Sequence, residues 1–186
     1  MQLGAVKDAW TDEANPTHNR GNDTSLTVYP VSNKRHRSLI EFDLSQLPAG
    51  ACVNSAALLL SLTSVGSASE TYGVHRLTHS WTEGNGLDNS GVTWALRDGV
   101  TAWASAGGDA VATATAQTAT GIVAGVTLQW NVTADVTAFL AGTATNYGWL
   151  LKDENEGTGT QFRFASRETA TVSSQPHLRV TFGACP

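Results

Sequence analysis

The sequence predicts an all-β protein, an antiparallel β-sandwich or barrel that carries one short helix over about residues 131–141. Apolar and polar residues alternate in many short segments, as expected for strands with one buried face. Turn-forming residues, glycine above all, separate these segments at short intervals. One segment departs from the period of two and shows the spacing of an amphipathic helix.

Eight segments have the length and alternation of strands: 26–29, 39–44, 56–62, 72–77, 127–132, 148–152, 162–164 and 178–182. Segment 56–62 is almost entirely apolar, so we expect it at the centre of a sheet. Segment 148–152 is expected to be buried on both faces. The alternating Thr and Ala residues within 110–124 are typical of either an edge strand or a mobile loop.

The helix is predicted from apolar residues with helical spacing, namely Val132, Val136, Phe139 and Leu140. Asn131 or Thr133 is suited to cap its first turn, and Gly142 is suited to end it. We expect this helix to close one end of the sandwich.

Length and composition exclude several classes of protein. The 186 residues fit a single module, 1–186. The chain has 3 Lys and 8 Arg but 16 Asp and Glu residues. The resulting net charge of −5 argues against a nucleic-acid partner. No apolar run reaches the ~18–20 residues that span a bilayer, so we expect no membrane insertion. Ala, Thr and Ser make up 64 of the 186 residues, which is typical of a secreted or cell-surface β-protein.

The two cysteines, Cys52 and Cys185, stand at the start of one predicted strand and the end of the last one. Neighbouring strand ends suit the ~5.5–6 Å Cα separation of a disulfide, so we predict a Cys52–Cys185 bridge. Such a bridge implies an oxidising compartment. Two buried free thiols are the alternative.

The order of several motifs resembles the DNRLRE-type domain, whose carbohydrate-binding branch is carbohydrate-binding module family 96. The motifs that carry the resemblance are, in chain order, Asp8, Pro16, 19–21, 26–28, 37–51, 55–60, 80–83, 92–94, Trp103, 107–109, 132–133, Gly142, 146–151, 166–168 and Pro176. The resemblance implies a jelly-roll β-sandwich found in secreted or surface proteins, often beside domains that degrade polysaccharides. It does not imply a particular ligand.

A basic cluster on this acidic chain is the first candidate for ligand binding. It comprises Lys34, Arg35, His36 and Arg37, with His18 and Arg20 upstream. If 26–31 pairs with 38–44, Lys34 and Arg35 lie in the connecting turn, where they could meet uronate carboxylates or sulfates. A solvated hairpin tip is the alternative, and Arg37 could instead pair with a carboxylate such as Glu168.

Aromatic residues beside loops are the second candidate, because an aromatic face covers the apolar side of a pyranose. These residues are Trp81, Trp94, Trp103 and Tyr147. Packing of the same side chains is the alternative. Trp130 and Trp149 lie in apolar strands and are expected in the core.

Two acidic stretches could bind calcium, which takes six to eight oxygen ligands. One contains Asp153, Glu154 and Glu156, and the other contains Asp8, Asp12 and Glu13. A solvated acidic turn is the alternative. No other cofactor is expected.

No catalytic motif is present, so the sequence predicts a protein that is not an enzyme. His75 and His79 are four residues apart in a strand-like segment, which would separate them by ~13 Å. Glu83 and Asp109 would be the carboxylate pair if the chain were a glycosidase.

Two functions remain open at this point. The first is a non-catalytic extracellular module that binds an acidic polysaccharide. The second is a protomer of an extracellular fibre or surface matrix, in which an extended strand within residues 1–7 is donated to a neighbouring copy. The same residues could equally form the first strand of their own sheet.

Overall fold

A computed structural model of the chain describes residues 1–48 and 52–183 and shows a β-sandwich with a single α-helix in that part of the chain. Its elements are β1 (Gln2–Asp12), β2 (Ser25–Val28), β3 (His36–Phe42), β4 (Cys52–Ser64), β5 (Thr71–Arg76), β6 (Ala116–Ala119), β7 (Thr127–Asn131), α1 (Thr133–Leu140), β8 (Trp149–Asp153), β9 (Phe162–Ala165), a 3₁₀ turn (Val172–Ser174) and β10 (His177–Gly183).

All strand pairs are antiparallel, and the strands follow the order β2-β9-β4-β10-β1-β3-β8-β5-β6, with β7 added to β4. Strand β1 joins the two layers. Its residues Gln2–Gly4 pair with β10, and the pairing with β3 starts at Ala5, with a register shift between Ala5 and Lys7. A bulge bends a strand and increases its twist, which lets the sheet fold back on itself.

The main core lies between the two layers. Leu58, Leu60 and Leu62 of β4 meet Ile40 and Phe42 of β3 in one apolar cluster. Trp130 and Trp149, predicted as core residues, belong to the same cluster and are fully buried. The predicted β-sandwich is therefore confirmed.

A second, smaller core lies on the outer face of β1, β3 and β8. Segment 77–115 contains no strand or helix, yet its Trp81, Val92 and Trp103 pack on Leu39 and Leu150 of this face. Leu150 points to this core while Trp149 and Leu151 point to the main one, so β8 is buried on both faces as predicted.

Helix α1 covers most of the predicted span and ends as predicted. Gly142 has a φ of +70°, and its N–H donates to the Phe139 carbonyl at 3.2 Å while the Thr143 N–H reaches the Ala138 carbonyl at 3.0 Å. This is the glycine-ended turn that satisfies the last carbonyls of a helix. At the start, Val132 occupies the cap position without a side-chain hydrogen bond, and Asn131 Oδ1 accepts the Thr133 N–H at 3.1 Å.

The conditional pairing of 26–31 with 38–44 does not form among the described strands, and an isolated bridge joins Tyr29 to His36, just before 38–44. Strand β2 pairs instead with β9, and β3 pairs with β1 and β8. Within the Thr/Ala stretch, Ala116–Ala119 forms strand β6 at the edge of the sheet.

The N-terminal residues form part of this chain's own sheet, since Gln2–Gly4 pair with β10 and the Met1 ammonium donates to the Val180 carbonyl. Donation of this strand to a neighbour would first break these pairings, and self-assembly stays a prediction. Cys185 lies outside the described residues, so the disulfide with Cys52 also stays a prediction. None of the helices in the described ranges has the length and hydropathy needed to cross a bilayer.

Candidate functional site

Two arginines of the predicted basic cluster are held in ion pairs. Arg35 donates to Glu13 through Nε at 2.8 Å and through a terminal nitrogen, and Arg37 donates to both Glu156 oxygens at 2.7 Å. The Arg35 hydrogen bonds lower the pKa of the Glu13 carboxyl below its ordinary value. The alternative pairing of Arg37 with Glu168 is wrong, because the partner of Arg37 is Glu156.

These two guanidinium groups also enclose Trp94. The Arg35 and Arg37 Cζ atoms lie 5.3 and 4.9 Å from the centre of its ring. Gly107 makes room for this arrangement, since a Cβ at that position would lie 2.7 Å from the ring. The cluster around Trp94 is therefore built as a packed, charge-compensated unit.

The three tryptophans predicted to bind sugar are buried, and their role in binding stays a prediction. Trp81, Trp94 and Trp103 are only 3%, 6% and 5% exposed, so their ring faces are not open to a sugar. Trp81 donates its indole N–H to the Tyr147 carbonyl at 3.0 Å, and Trp103 donates to the Thr93 carbonyl at 3.1 Å. A buried indole N–H needs such a partner, which segment 77–115 supplies for Trp103 and the loop before β8 supplies for Trp81.

The two remaining predicted cations, Arg20 and Lys34, differ in whether a carboxylate lies close to them. Arg20 lies over the Trp10 ring at 4.7 Å and 3.5 Å from the Asp12 carboxylate. Lys34 is exposed in the turn before β3 and has no carboxylate within 4 Å among the described residues. Of the four predicted cations, Lys34 alone presents an uncompensated charge there.

The predicted calcium site at Asp153, Glu154 and Glu156 does not converge. Glu154 accepts from His75 Nε2 at 2.7 Å and Gln117 Nε2 at 2.9 Å, and Glu156 is bound to Arg37. Within residues 1–48 and 52–183, a single group of three or more carboxylates, histidines or cysteines is close enough to share an ion. It contains none of these three residues. The structure thus does not bring Asp153, Glu154 and Glu156 into one such group, and calcium binding by them stays a prediction.

The candidate catalytic residues are also dispersed. His75 is buried between the Val111 carbonyl and Glu154, whereas the exposed His79 lies 3.6 Å from Asp109. Asp109 accepts the backbone N–H groups of residues 104 and 105 and so shapes a turn. Its predicted partner Glu83 hydrogen-bonds Asp8 and Arg167 instead.

The outer face of β7, β4 and β10 holds an open groove of about 440 Å³. Strand register places Asn131, Ala57 and Arg179 in one row across these three strands. Strand β6 forms a wall, where the Thr118 hydroxyl donates to the Gln129 carbonyl at 2.7 Å. We call this the β4–β7 groove; its polar lining residues are Ser55, Gln117, Thr118, Gln129, Asn131 and Arg179.

The chemistry of the β4–β7 groove is that of amides and hydroxyls with one cation. None of its lining residues within the described ranges is acidic or aromatic. Arg179 is exposed, donates to Gln129 Oε1 at 3.2 Å, and has no carboxylate within 4 Å among the residues the structure describes. Sequence reasoning missed Arg179. The alternation of 178–182 predicts that its side chain points outward. It does not predict which residues of β4 and β7 lie beside it in the sheet.

A smaller groove of about 270 Å³ lies near the end of α1 and contains Tyr147, Arg76 and Thr78. We call it the Tyr147 groove. Of the four aromatic residues predicted to bind sugar, Tyr147 is the one that is partly exposed, and it lies in this groove. Its cation is less available, because Arg76 lies 4.0 Å from Asp135.

A family model described as carbohydrate-binding module family 96 matches residues 1–182. The chain belongs to this family. The predicted membership in family 96 is thereby confirmed, and the matched residues include both cores and both grooves. Comparison with curated proteins gives no match.

For a member of carbohydrate-binding module family 96, the β4–β7 groove and the Tyr147 groove are two concave surfaces open to a saccharide. Sugar hydroxyls are recognised by amide and hydroxyl side chains that both donate and accept hydrogen bonds. The β4–β7 groove is the larger of the two and is rich in these groups.

Proposed function

We propose that this module binds an acidic polysaccharide outside the cell, without catalysis, in the β4–β7 groove. The observation that carries the proposal is Arg179, an uncompensated cation in a groove without acidic lining on a chain of net charge −5. A guanidinium group forms paired hydrogen bonds with carboxylate or sulfate groups.

Charge and shape favour an acidic polymer over a neutral one. Neutral glucans are held largely by stacking on aromatic faces, and the groove residues include no aromatic side chain. A polyanion would be repelled by most of this acidic surface, so its attachment depends on points where positive charge is left unpaired. Arg179 is one such point and Lys34 is another. Arg35 and Arg37 are already bound to Glu13 and Glu156.

The test is calorimetric titration with alginate, pectin and a neutral β-glucan at low and at high salt. We expect binding to the two uronate polymers, weakened by salt because screening reduces the attraction between exposed charges. Loss of a hydrogen bond to a charged group predicts about tenfold weaker binding for Arg179→Ala. Arg163→Ala is the matched control, since Arg163 is also exposed but lies on β9.

Two outcomes would overturn the proposal. The first is the absence of binding to either uronate polymer at low salt. The second is equal loss of affinity in Arg179→Ala and Arg163→Ala, which would indicate diffuse attraction rather than a site. A loss confined to Tyr147→Ala would move the site to the Tyr147 groove.

A further inference from the structure

Three carboxylates from distant parts of the chain meet beside β1. Asp8 lies in β1, Glu83 in the covering segment 77–115, and Glu168 in the turn that follows β9. One potential ligand atom from each lies within 4.8 Å of the others. This spacing matches calcium, whose bonds to oxygen of about 2.3–2.6 Å allow two ligands of one ion to lie up to about 5 Å apart.

Two oxygens of this group lack a protein donor. Asp8 is 1% exposed, and neither its Oδ1 nor Glu168 Oε2 accepts a hydrogen bond from an N–H or O–H donor of the described residues. The Asp8 and Glu168 carboxyl groups lie against each other, and burial and this contact both raise the pKa of Asp8. Buried carboxylate oxygens are costly to leave without a partner. An unsatisfied oxygen on a fully buried Asp, inside a group of carboxylates, indicates that something positive is missing from its surroundings.

The other oxygens of the group are already bound. Asp8 Oδ2 accepts the Arg167 N–H at 2.8 Å, and Glu83 Oε1 accepts the Asp8 N–H at 2.6 Å. The Arg167 guanidinium donates to Glu83 Oε2 at 3.0 Å and to Glu168 Oε1 at 3.1 Å. Arg167 cancels one of the three negative charges, so two remain when all three groups are ionised.

We propose that Asp8, Glu83 and Glu168 form a binding site for a divalent cation with a preference for oxygen ligands, namely calcium. The ion supplies the missing two positive charges and the missing partners of Asp8 Oδ1 and Glu168 Oε2. Because the ligands come from β1, the covering segment and the β9–β10 connection, the ion joins three parts of the chain that are distant in sequence. It therefore stabilises the attachment of segment 77–115 to the sheet.

The sequence pattern alone groups these residues differently. It places Asp8 with Asp12 and Glu13, but Asp12 lies beside His36 and Arg20, and Glu13 is bound to Arg35. Of those three, only Asp8 belongs to the site.

A proton is the competing occupant. Burial raises the pKa of Asp8 to about 8, so a protonated Asp8 could also reduce the negative charge of the group. The Asp8→Asn variant separates the two occupants. An amide imitates the protonated acid in shape and charge but removes a charged ligand that the cation needs.

The experiment titrates chelator-treated, dialysed protein with CaCl₂ alone and follows both the heat of binding and the melting temperature. We expect calcium to bind and to raise the melting temperature of the natural sequence. Asp8→Asn and Glu168→Gln should weaken calcium binding by about tenfold or more, since affinity depends on the number of charged ligands. Glu168 is only partly buried, so its variant remains informative if Asp8→Asn fails to fold.

Asp153→Asn is the matched control, because Asp153 is also 1% exposed and also has an oxygen without a partner in the described ranges, but belongs to no such group. It should keep the calcium response, as should Arg179→Ala in the β4–β7 groove. The proposal is overturned if calcium has no effect on the natural sequence, if Asp8→Asn responds to calcium as the natural sequence does, or if MgCl₂ binds more tightly than CaCl₂.

Discussion

One outer face of the sandwich is covered by another part of the chain, and the other outer face is open. On one, the side chains of β1, β3 and β8 are covered by segment 77–115, and Trp81 and Trp103 pack there. On the other, β7, β4 and β10 remain open and form the β4–β7 groove. Both faces are built from alternating strands. Whether a face is buried as a core or left open as a groove therefore depends on a segment without regular structure that covers only one of them.

The same difference governs the charged residues. Arg35 and Arg37, at the covered side, are bound to carboxylates and to the face of Trp94. Arg179, at the open side, has a neutral amide as its protein partner. Arg179 is thus separated in space from the paired Arg35 and Arg37.

The largest effect should follow from removing an indole of the covered face. Trp81→Ala deletes a 3% exposed side chain and its hydrogen bond to Tyr147, and should lower the free energy of unfolding by about 3–5 kcal/mol. Chemical denaturation measures this loss. A loss below about 1 kcal/mol would show that segment 77–115 is not packed as a core.

A smaller loss of stability is expected for Arg37→Ala. The change leaves Glu156 without its two hydrogen bonds from Arg37 and Trp94 without one of its cations, at a cost of about 2 kcal/mol. The same measurement on Arg163→Ala should stay within about 0.5 kcal/mol of the natural sequence, as for most surface changes. Similar values for both variants would contradict the structural role assigned to Arg37.

Acid should weaken the covered side through Glu13. The hydrogen bonds from Arg35 lower the pKa of Glu13 in the folded protein below its ordinary 4.5, so the unfolded chain takes up the proton first. This stabilising contribution is complete above the unfolded pKa and is lost as the pH falls through the folded one. Denaturation between pH 6 and about pH 3 should show a shallower decline for Glu13→Gln than for the natural sequence. An identical decline in both would contradict this contribution.

The smallest effect on stability is expected on the open face. Gln129→Ala removes an exposed amide that contacts Arg179, and should change the free energy of unfolding by less than about 0.5 kcal/mol. Under the proposed function the same variant weakens binding to uronate polymers. A stability loss without any loss of affinity would assign Gln129 to the fold instead.

Much of the layered architecture was predictable from alternation. The inward residues of 56–62, the burial of 148–152 on both faces and the end of the helix at Gly142 all follow from local patterns. The surroundings of the candidate site residues were less predictable. Trp81, Trp94 and Trp103 have the sequence context of a sugar-binding ledge, but segment 77–115 folds back and buries them.

The amino-acid sequence by itself determined the all-β class, the short helix and the family, because periodicity and turn residues act over a few neighbouring positions and family motifs are read in order along the chain. Only the tertiary structure decided which charges are compensated. Glu156 binds Arg37 although 119 positions separate them in the sequence. Asp8 lies close to Glu83 and Glu168, which are also distant from it in the sequence. Such encounters depend on strand order and on the path of an irregular segment, neither of which leaves a periodic signal in the sequence.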